Sequence, residues 1–463
     1  MSLTRTDFTQ AFDPAAGVAR RLRLQERKHI LGLAAPIMLI ALVNMGMSIT
    51  DVFMVQASFG AEALAAVAVG SDLYSIVFYL GAGTLAGLTP FYTAAAIRSD
   101  PVERARLVQI GWTIVWLTCL LVVPVVWWSP DWLTAIGIDG GLLEPGRGYT
   151  RAMALTLVPM LGVMLYRTVL TAAEKPKVFL KVTIAMLPLN AVGNFVFMNG
   201  LGPIPAFGPA GAGLSSLLVA TASLGILIVI ARRTVEGTSA SPIGASVDLR
   251  MIMPVLRVGF PIGIATVAEV GVFLAATIYA ATLSTADVAA HALALRTAGV
   301  AYAIPTAMLQ ASMVRMARAD ALGDSQARRA VVTSSLVISL AGGALIFLLL
   351  ASGAGLISSA FFDDSPAGIA AANLAAGLLV LLGAMEFIFV PGAAAAGLLR
   401  GRKDSRAPMV FAILGHWAVG APLGVYLCEW RDLGAAGIWI GLSAGTLLAT
   451  SLTLARLFVS RPR

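Results

Sequence analysis

VGFPIGIATVAEVGVFLAATIYAATLSTA, residues 258–286, is an apolar run with one charge, Glu269, near its middle. At about 1.5 Å of rise per residue, some 20 of these residues as helix cross the roughly 30 Å hydrocarbon core of a bilayer, and Glu269 falls near mid-depth. A carboxylate there is costly. Such groups face a bundle interior or a watery cavity and mark an ion or substrate path. A structural glutamate, protonated and hydrogen-bonded to a neighbouring helix, is the alternative.

Runs of this kind recur from end to end of the 463 residues. The chain is 58 % hydrophobic and 12 % charged, with a mean hydropathy of +0.87, which points to a polytopic helical membrane protein rather than one with a single anchor. Short alternating segments, the mark of a membrane barrel, are missing. The 46 Gly and 22 Pro suit close helix packing and bent helices. Cys119 and Cys428 lie in separate apolar runs without ligand spacing and read as packing residues. Residues 1–28 form a basic segment with Arg5, Arg20, Arg21, Arg23, Arg27 and Lys28. The first apolar run starts near Ile30, so the segment is not read as a signal peptide. The net charge of +8 sits in short loops beside apolar runs. These charges therefore read as topology signals, the expected partner is the lipid bilayer, and no nucleic acid is expected.

About twelve spans follow from the runs and their punctuation, near 30–56, 63–97, 107–128, 148–173, 178–198, 210–231, 256–283, 288–318, 330–352, 367–398, 408–428 and 435–457. Alternate connections are basic: Arg98, Arg104 and Arg106, then Lys175, Lys177 and Lys181, then Arg232 and Arg233, then Arg315 and Arg318, then Arg400, Arg402, Lys403 and Arg406, and the tail with Arg461 and Arg463. The other connections are neutral or mainly acidic, as at Glu62 and at Asp363 and Asp364, although Arg147 and Arg151 close the third and Arg431 lies in the eleventh. This alternation places both termini in the cytoplasm.

The chain also repeats itself. APIMLIALVNMGMSITD from Ala35 resembles FPIGIATVAEVGVFLAA from Phe260, and LYRTVLTAAEKPK near Arg167 resembles LLRGRKDSRAP near Arg400. Each half holds six spans, so the halves are expected to be parallel repeats. The expected fold is an all-α integral membrane protein of about twelve helices in two six-helix lobes, related by a pseudo-twofold along the membrane normal. The expected organisation is residues 29–233 as the first lobe, 234–250 as a cytoplasmic linker and 251–463 as the second lobe.

Charges inside spans are the candidates for chemistry. Glu269, Glu386 and Asp51 are each isolated among apolar residues, and Asp72 is a fourth acid. Glu386 lies five residues before Pro391, whose missing N–H frees a backbone carbonyl one turn earlier. Glu269 and Glu386 would give the second lobe a carboxylate pair able to exchange a proton or hold a cation. In the first lobe, Asp51 follows Asn44 by two helical turns, and Asn190 and Asn194 share a helix face one turn apart. A carboxylate with amide oxygens suits sodium or a protonated Asp, although span amides also serve simply as interhelical hydrogen bonds. Arg296 is a mid-span charge able to neutralise a carboxylate. His291 and His416 read as packed or interfacial groups. No phosphate loop, zinc-spaced cluster or nucleophile elbow occurs. No cofactor is expected beyond a coupling ion, Na+ or H+, with sodium at Glu269, Glu386 or Asp51 as the metal candidate.

Taken together, SITDVFMVQASFGAEALAAVAV from Ser48, GLTP from Gly87, YRTVLTAAEKPK from Tyr166, PLNAVGNFVF from Pro188, GFPIGIATVAEVGVF from Gly259, DVAAHALALR from Asp287, MVRMARADALGD from Met313 and AAGLLRGRKDSRAPM from Ala395 resemble the multidrug and toxic compound extrusion (MATE) family, in its bacterial NorM-like branch. The resemblance implies alternating access and export of lipophilic, often cationic small molecules in exchange for Na+ or H+. It further implies a monomer in a bacterial inner membrane. Carried over by position, Asp51, Asn190 and Asn194 match the first-lobe polar site, and Glu269 and Glu386 the acidic positions of the second. This chain departs in having Glu at 386, Asn at 194, an unusual Asp72, and FYTAAAIRSD after GLTP. A flippase for lipid-linked or amphipathic precursors is the sibling alternative, disfavoured because only Arg296 reads as a mid-span base. A membrane-embedded enzyme would need a nucleophile or metal ligands that are not found, so no enzyme activity is expected.

Overall fold

The computed structural model describes residues 14–238 and 249–459. Residues 1–13 of the basic arm with Arg5, residues 239–248 of the expected linker, and Arg461 and Arg463 of the tail lie outside the described residues. Among the described residues the chain is helical, with one isolated bridge between Leu201 and Ile204. The helices of the first half are α1 (Pro14–Ala86), α2 (Thr89–Ile97), α3 (Pro101–Trp127), the short α4 (Ser129–Ala135) and α5 (Gly140–Leu143), α6 (Arg147–Ala172), α7 (Pro176–Asn199) and α8 (Ala210–Thr234). Those of the second are α9 (Leu249–Ala280), α10 (Thr285–Ala301), α11 (Ala303–Ala321), α12 (Ser325–Phe361), α13 (Pro366–Gly401), α14 (Arg406–Ile413), α15 (Ala421–Arg431) and α16 (Gly434–Val459).

Among the described residues eleven helical runs are long and apolar enough to cross a bilayer, the first being Ala19–Ile97 with 79 residues. As one straight helix it would be roughly 120 Å long, far beyond a single crossing. It folds back at Gly60, which has φ 81° and ψ −174° inside α1. This is the left-handed side of φ space that glycine enters without a Cβ penalty. The return is visible in contacts: Asp51 and Asp72 would stand about 32 Å apart on a straight helix, yet both lie within electrostatic reach of Tyr149. Among the described residues this makes twelve candidate crossings. The connection expected around Glu62 is a correction, since Glu62 is itself helical and Gly60 alone makes the turn.

Two large apolar cores, with two smaller clusters beside them, hold the described bundle. One is built from the first half, including Leu157, Leu161, Leu165 and Tyr166 of α6, and the other from the second half, including Leu378, Leu379 and Leu382 of α13. Their memberships cross at the ends. Ile30, Leu33 and Ile37 at the start of α1 pack into the second core, while Ile252 and Val255 at the start of α9 pack into the first. Each half therefore lends its opening turns to the other.

The lobes meet along a seam between α1 and α9. A Cβ on Gly259 would lie 2.0 Å from the Thr84 carbonyl oxygen, and one on Gly87 would lie 2.4 Å from the Gly259 Cα. Glycine at both positions lets the two backbones touch, which is how helices associate where lipid offers no hydrophobic drive. At one end of the seam Arg315 of α11 closes the gap. Its Nη2 donates to Glu26 Oε1 of α1 at 2.7 Å and its Nη1 to Glu174 Oε1, in the α6–α7 loop, at 2.6 Å. We call this the basic end.

Candidate functional site

In the first lobe Asp51 sits on the arm of α1 before the Gly60 turn, facing α7. Asn194 donates its Nδ2 amide to Asp51 Oδ1 at 2.5 Å, and Asn190 presents its side-chain amide to the same carboxylate. One turn of α7 separates the two asparagines, so both reach one point. Their backbone is pinned to α8, because Ser215 Oγ donates to the Asn190 carbonyl at 3.0 Å. Gly193 leaves room for that contact, since a Cβ there would lie 2.5 Å from Ser215 Oγ. With both amides turned toward the carboxylate, Asn190 Oδ1 and Asn194 Oδ1 are left buried with no hydrogen-bond partner. The carboxylate is thus met by amide N–H groups, and the two amide oxygens are left as buried acceptors with no partner. Tyr149 stands beside Ser71 at this site, within electrostatic reach of Asp51 and Asp72. Asp72 itself is exposed. Asn44 is also exposed, and no hydrogen bond joins it to Asp51, so the two-turn spacing does not bring it into the cluster.

In the second lobe Glu269 of α9 lines a small cavity of about 40 Å³. Its electrostatic partner there is Arg400, which also lines the cavity, together with His416, Phe389 and Thr450. Glu386 is 2 % exposed, with its Oε2 lacking a partner, and does not line this cavity. Glu269 therefore shares its cavity with Arg400, and Glu386 is not among the residues that line it. Arg296 is exposed on α10 and neutralises neither acid. His291 is a packed group. Trp439 Nε1 donates to its Nδ1 at 3.3 Å, and its Nε2 meets Thr277 Oγ1 at 3.2 Å.

The MatE family model matches residues 36–196 and again 261–426. The chain belongs to the MatE family. The two matches begin at 36 and 261, the positions of the paired prolines Pro36 and Pro261. A protein of Mesorhizobium japonicum described as "Probable multidrug resistance protein NorM" is 31 % identical over 455 residues, covering 96 % of each chain. One of Bradyrhizobium diazoefficiens with the same description is 29 % identical over 453 residues, covering 96 % of this chain and 95 % of that one. A crystal structure of the "eukaryotic MATE transporter AtDTX14" is 16 % identical and superposes with a TM-score of 0.84, covering 95 % of this chain and 97 % of that one. It shows the same fold.

Within this MatE chain several inward-facing groups escape a reading of the runs. Arg400, taken for a loop charge, lies in the last turn of α13 and is 4 % exposed. Its repeat counterpart Arg167 donates to Gln310 Oε1 across the seam at 3.4 Å and lies over the Phe179 ring. Both stand where an apolar run gives way to a basic loop, so their charge is masked by the topology signal around them. His416 belongs to a π-helical stretch, Leu414–Gly420, between α14 and α15. Such turns gather at functional sites. The stretch docks on α9 beside Glu269, with Trp417 Nε1 donating to the Ala268 carbonyl at 2.9 Å.

Proposed function

We propose that this multi-pass membrane protein exports lipophilic cationic compounds by alternating access, in exchange for Na+ or H+ bound at Asp51. The observation that carries the reading is the Asp51 cluster, one carboxylate flanked by two buried amide oxygens without partners. A cation at the carboxylate, with the amides turned over, would give those oxygens the partner they lack; a proton neutralises the carboxylate while the amides hold it in place. The descriptions of the rhizobial relatives as multidrug resistance proteins support the substrate class. The basic end faces the cytoplasm of a bacterium, by the excess of Arg and Lys in its loops, and both chain ends lie on that side. Ion and drug must favour different arrangements of the lobes, since a ligand shifts an equilibrium only by its differential affinity. Nothing in this reading calls for catalysis or for a second copy of the chain.

The flippase reading draws on Arg167 and Arg400, which add basic groups near the seam. Glu269 opposes Arg400 in the same cavity, however, which makes it mixed in charge rather than a basic receptor for an anionic lipid. Ethidium export from proteoliposomes, driven separately by a proton and a sodium gradient, tests the proposal. Wild type should respond to one gradient, and Asp51→Asn should lower that response by about tenfold or more. Export indifferent to both gradients, or unchanged in Asp51→Asn, would overturn the reading.

A further inference from the structure

Two span charges, Asp72 and Arg296, are used by neither the Asp51 cluster nor the Glu269 cavity. Asp72 lies on the returning arm of α1, about 18 Å in from the Gly60 turn, and Arg296 lies about 17 Å in from Thr285 at the start of α10. Both arms run from the end opposite the basic one, the outer end, so the two charges stand at nearly one depth. They are also repeat partners. A single constant separation carries the buried Ala66, Gly70 and Tyr74 onto the buried Ala290, Ala294 and Ala298, and the same separation carries the exposed Asp72 onto the exposed Arg296. No ion pair within 4.0 Å includes either residue among the described ones. A lone charge this deep is too costly to leave against lipid, so both belong to the watery cleft between the lobes.

Neighbours deeper in the molecule show that the two arms face each other. Tyr79 follows Asp72 by two turns on the same face of α1 and lies within electrostatic reach of Arg167 and of Tyr302. Tyr302 stands where α10 gives way to α11, beyond Arg296. The α10 arm meets the first lobe again at Gly299, where a Cβ would lie 3.1 Å from Met45 Cε. The arms thus converge at the two tyrosines, with Asp72 and Arg296 on the outer side of that meeting.

We propose that Asp72 and Arg296 form an outer gate. When the basic end opens and the outer arms swing together, the Arg296 guanidinium donates to the Asp72 carboxylate and the pair shuts the cleft toward the outside. The gate rests on the alternating-access reading and takes from it only that the lobes rock about their seam. An exposed pair contributes little, which lets the cleft stand open with the charges apart. Closure strips water from both groups, so the attraction strengthens and the forked geometry of arginine and carboxylate can form. Either charge alone in the closed cleft would be buried without its partner, which makes closure depend on both.

Trapping tests the meeting directly, in the purified full chain with no gradient, drug or coupling ion. Asp72→Cys and Arg296→Cys are combined and treated with dibromobimane, whose fluorescence reports the bridging of two thiols. Bridging should run at least about fivefold faster than in Asp72→Cys combined with Val288→Cys, the latter also exposed on α10 but nearer the outer end. Wild type, whose Cys119 and Cys428 are buried, sets the background. Charge exchange tests the pair. Asp72→Lys and Arg296→Glu each set like charges face to face and should lower ethidium export by about tenfold or more, whereas the two together should return it to within about threefold of wild type. Should a single variant fail to fold, the exchanged pair and the bridging decide. Should wild type itself export nothing, the export reading fails while bridging still decides whether the two arms meet. Bridging no faster than in the control pair, single variants that export like wild type, or an exchanged pair no better than the slower single variant would each overturn the gate.

Discussion

Asp51 is held by amides rather than by a counter-charge, and the proposed function makes this the site that answers to an ion. No ion pair within 4.0 Å includes Asp51 among the described residues, while Asn194 donates to it directly. Replacing Asn194 with Leu removes a donor to a mostly buried carboxylate, at a cost of about 1–3 kcal/mol. The half-saturating ion concentration for driven export should therefore move by about fivefold or more while drug binding persists; an unmoved value would separate Asn194 from the ion. His291 supplies the structural control. His291→Phe breaks its bonds to Trp439 and Thr277 and should lower the thermal midpoint of unfolding, leaving export at low temperature near wild type. The polar groups buried in the spans, Asn190, Asn194 and Glu386, were legible in the sequence, because a polar group inside an apolar run stands out by itself. Arg400 and Arg167 were not, because an arginine at a run's end looks like any other topology charge. Whether a lone histidine is satisfied, as His291 is, or left open, as His416 is, depends on neighbours more than a hundred residues away in the case of Trp439.

At the scale of elements the apolar runs located the crossings well, and their breaks less so. The turn at Gly60 occupies one residue, so hydrophobic patterning passes through it and a loop is inferred where there is none. The π-helical stretch at Leu414–Gly420 leaves no mark in composition, since it inserts an extra residue per turn without changing which residue types are used. The seam is similarly hidden, because glycines are common in spans and only their pairing across α1 and α9 gives them meaning. Gly259→Ala places a methyl carbon against the Thr84 carbonyl. It should cost about 1–3 kcal/mol in the arrangement described here and slow drug export while leaving the protein inserted. Export at the wild-type rate would show that the seam does not need this close approach.

For the whole molecule, the repeat and the family resemblance gave the two-lobe plan. The exchange of opening turns between the cores was beyond reach, because it depends on where α1 and α9 lie relative to each other. Alternating access requires the basic end to open, and Arg315 is what ties it shut. Its side chain is 7 % exposed, and it bridges Glu26, at 13 %, and Glu174, at 29 %. Removing one partner from a buried ion pair costs about 3–5 kcal/mol, which is enough to invert a two-state balance of similar size. Spin labels at Lys177 and Ala321, exposed on opposite lobes at this end, should report a longer distance in Arg315→Ala than in wild type. An unchanged distance distribution would remove Arg315 from the gating of this end.

The central claim is that ion and drug are linked through Asp51, and linkage at equilibrium is reciprocal. The most direct measurement is the dissociation constant of tetraphenylphosphonium from the purified chain, titrated against sodium at fixed pH and against pH at fixed sodium. The account predicts that drug affinity falls as the coupling ion is raised: with sodium as the ion, affinity drops on adding sodium, and with the proton, affinity drops as pH is lowered. It predicts further that Asp51→Asn binds the drug without that dependence. Drug affinity indifferent to both ions in wild type, or an ion dependence that survives intact in Asp51→Asn, would contradict it.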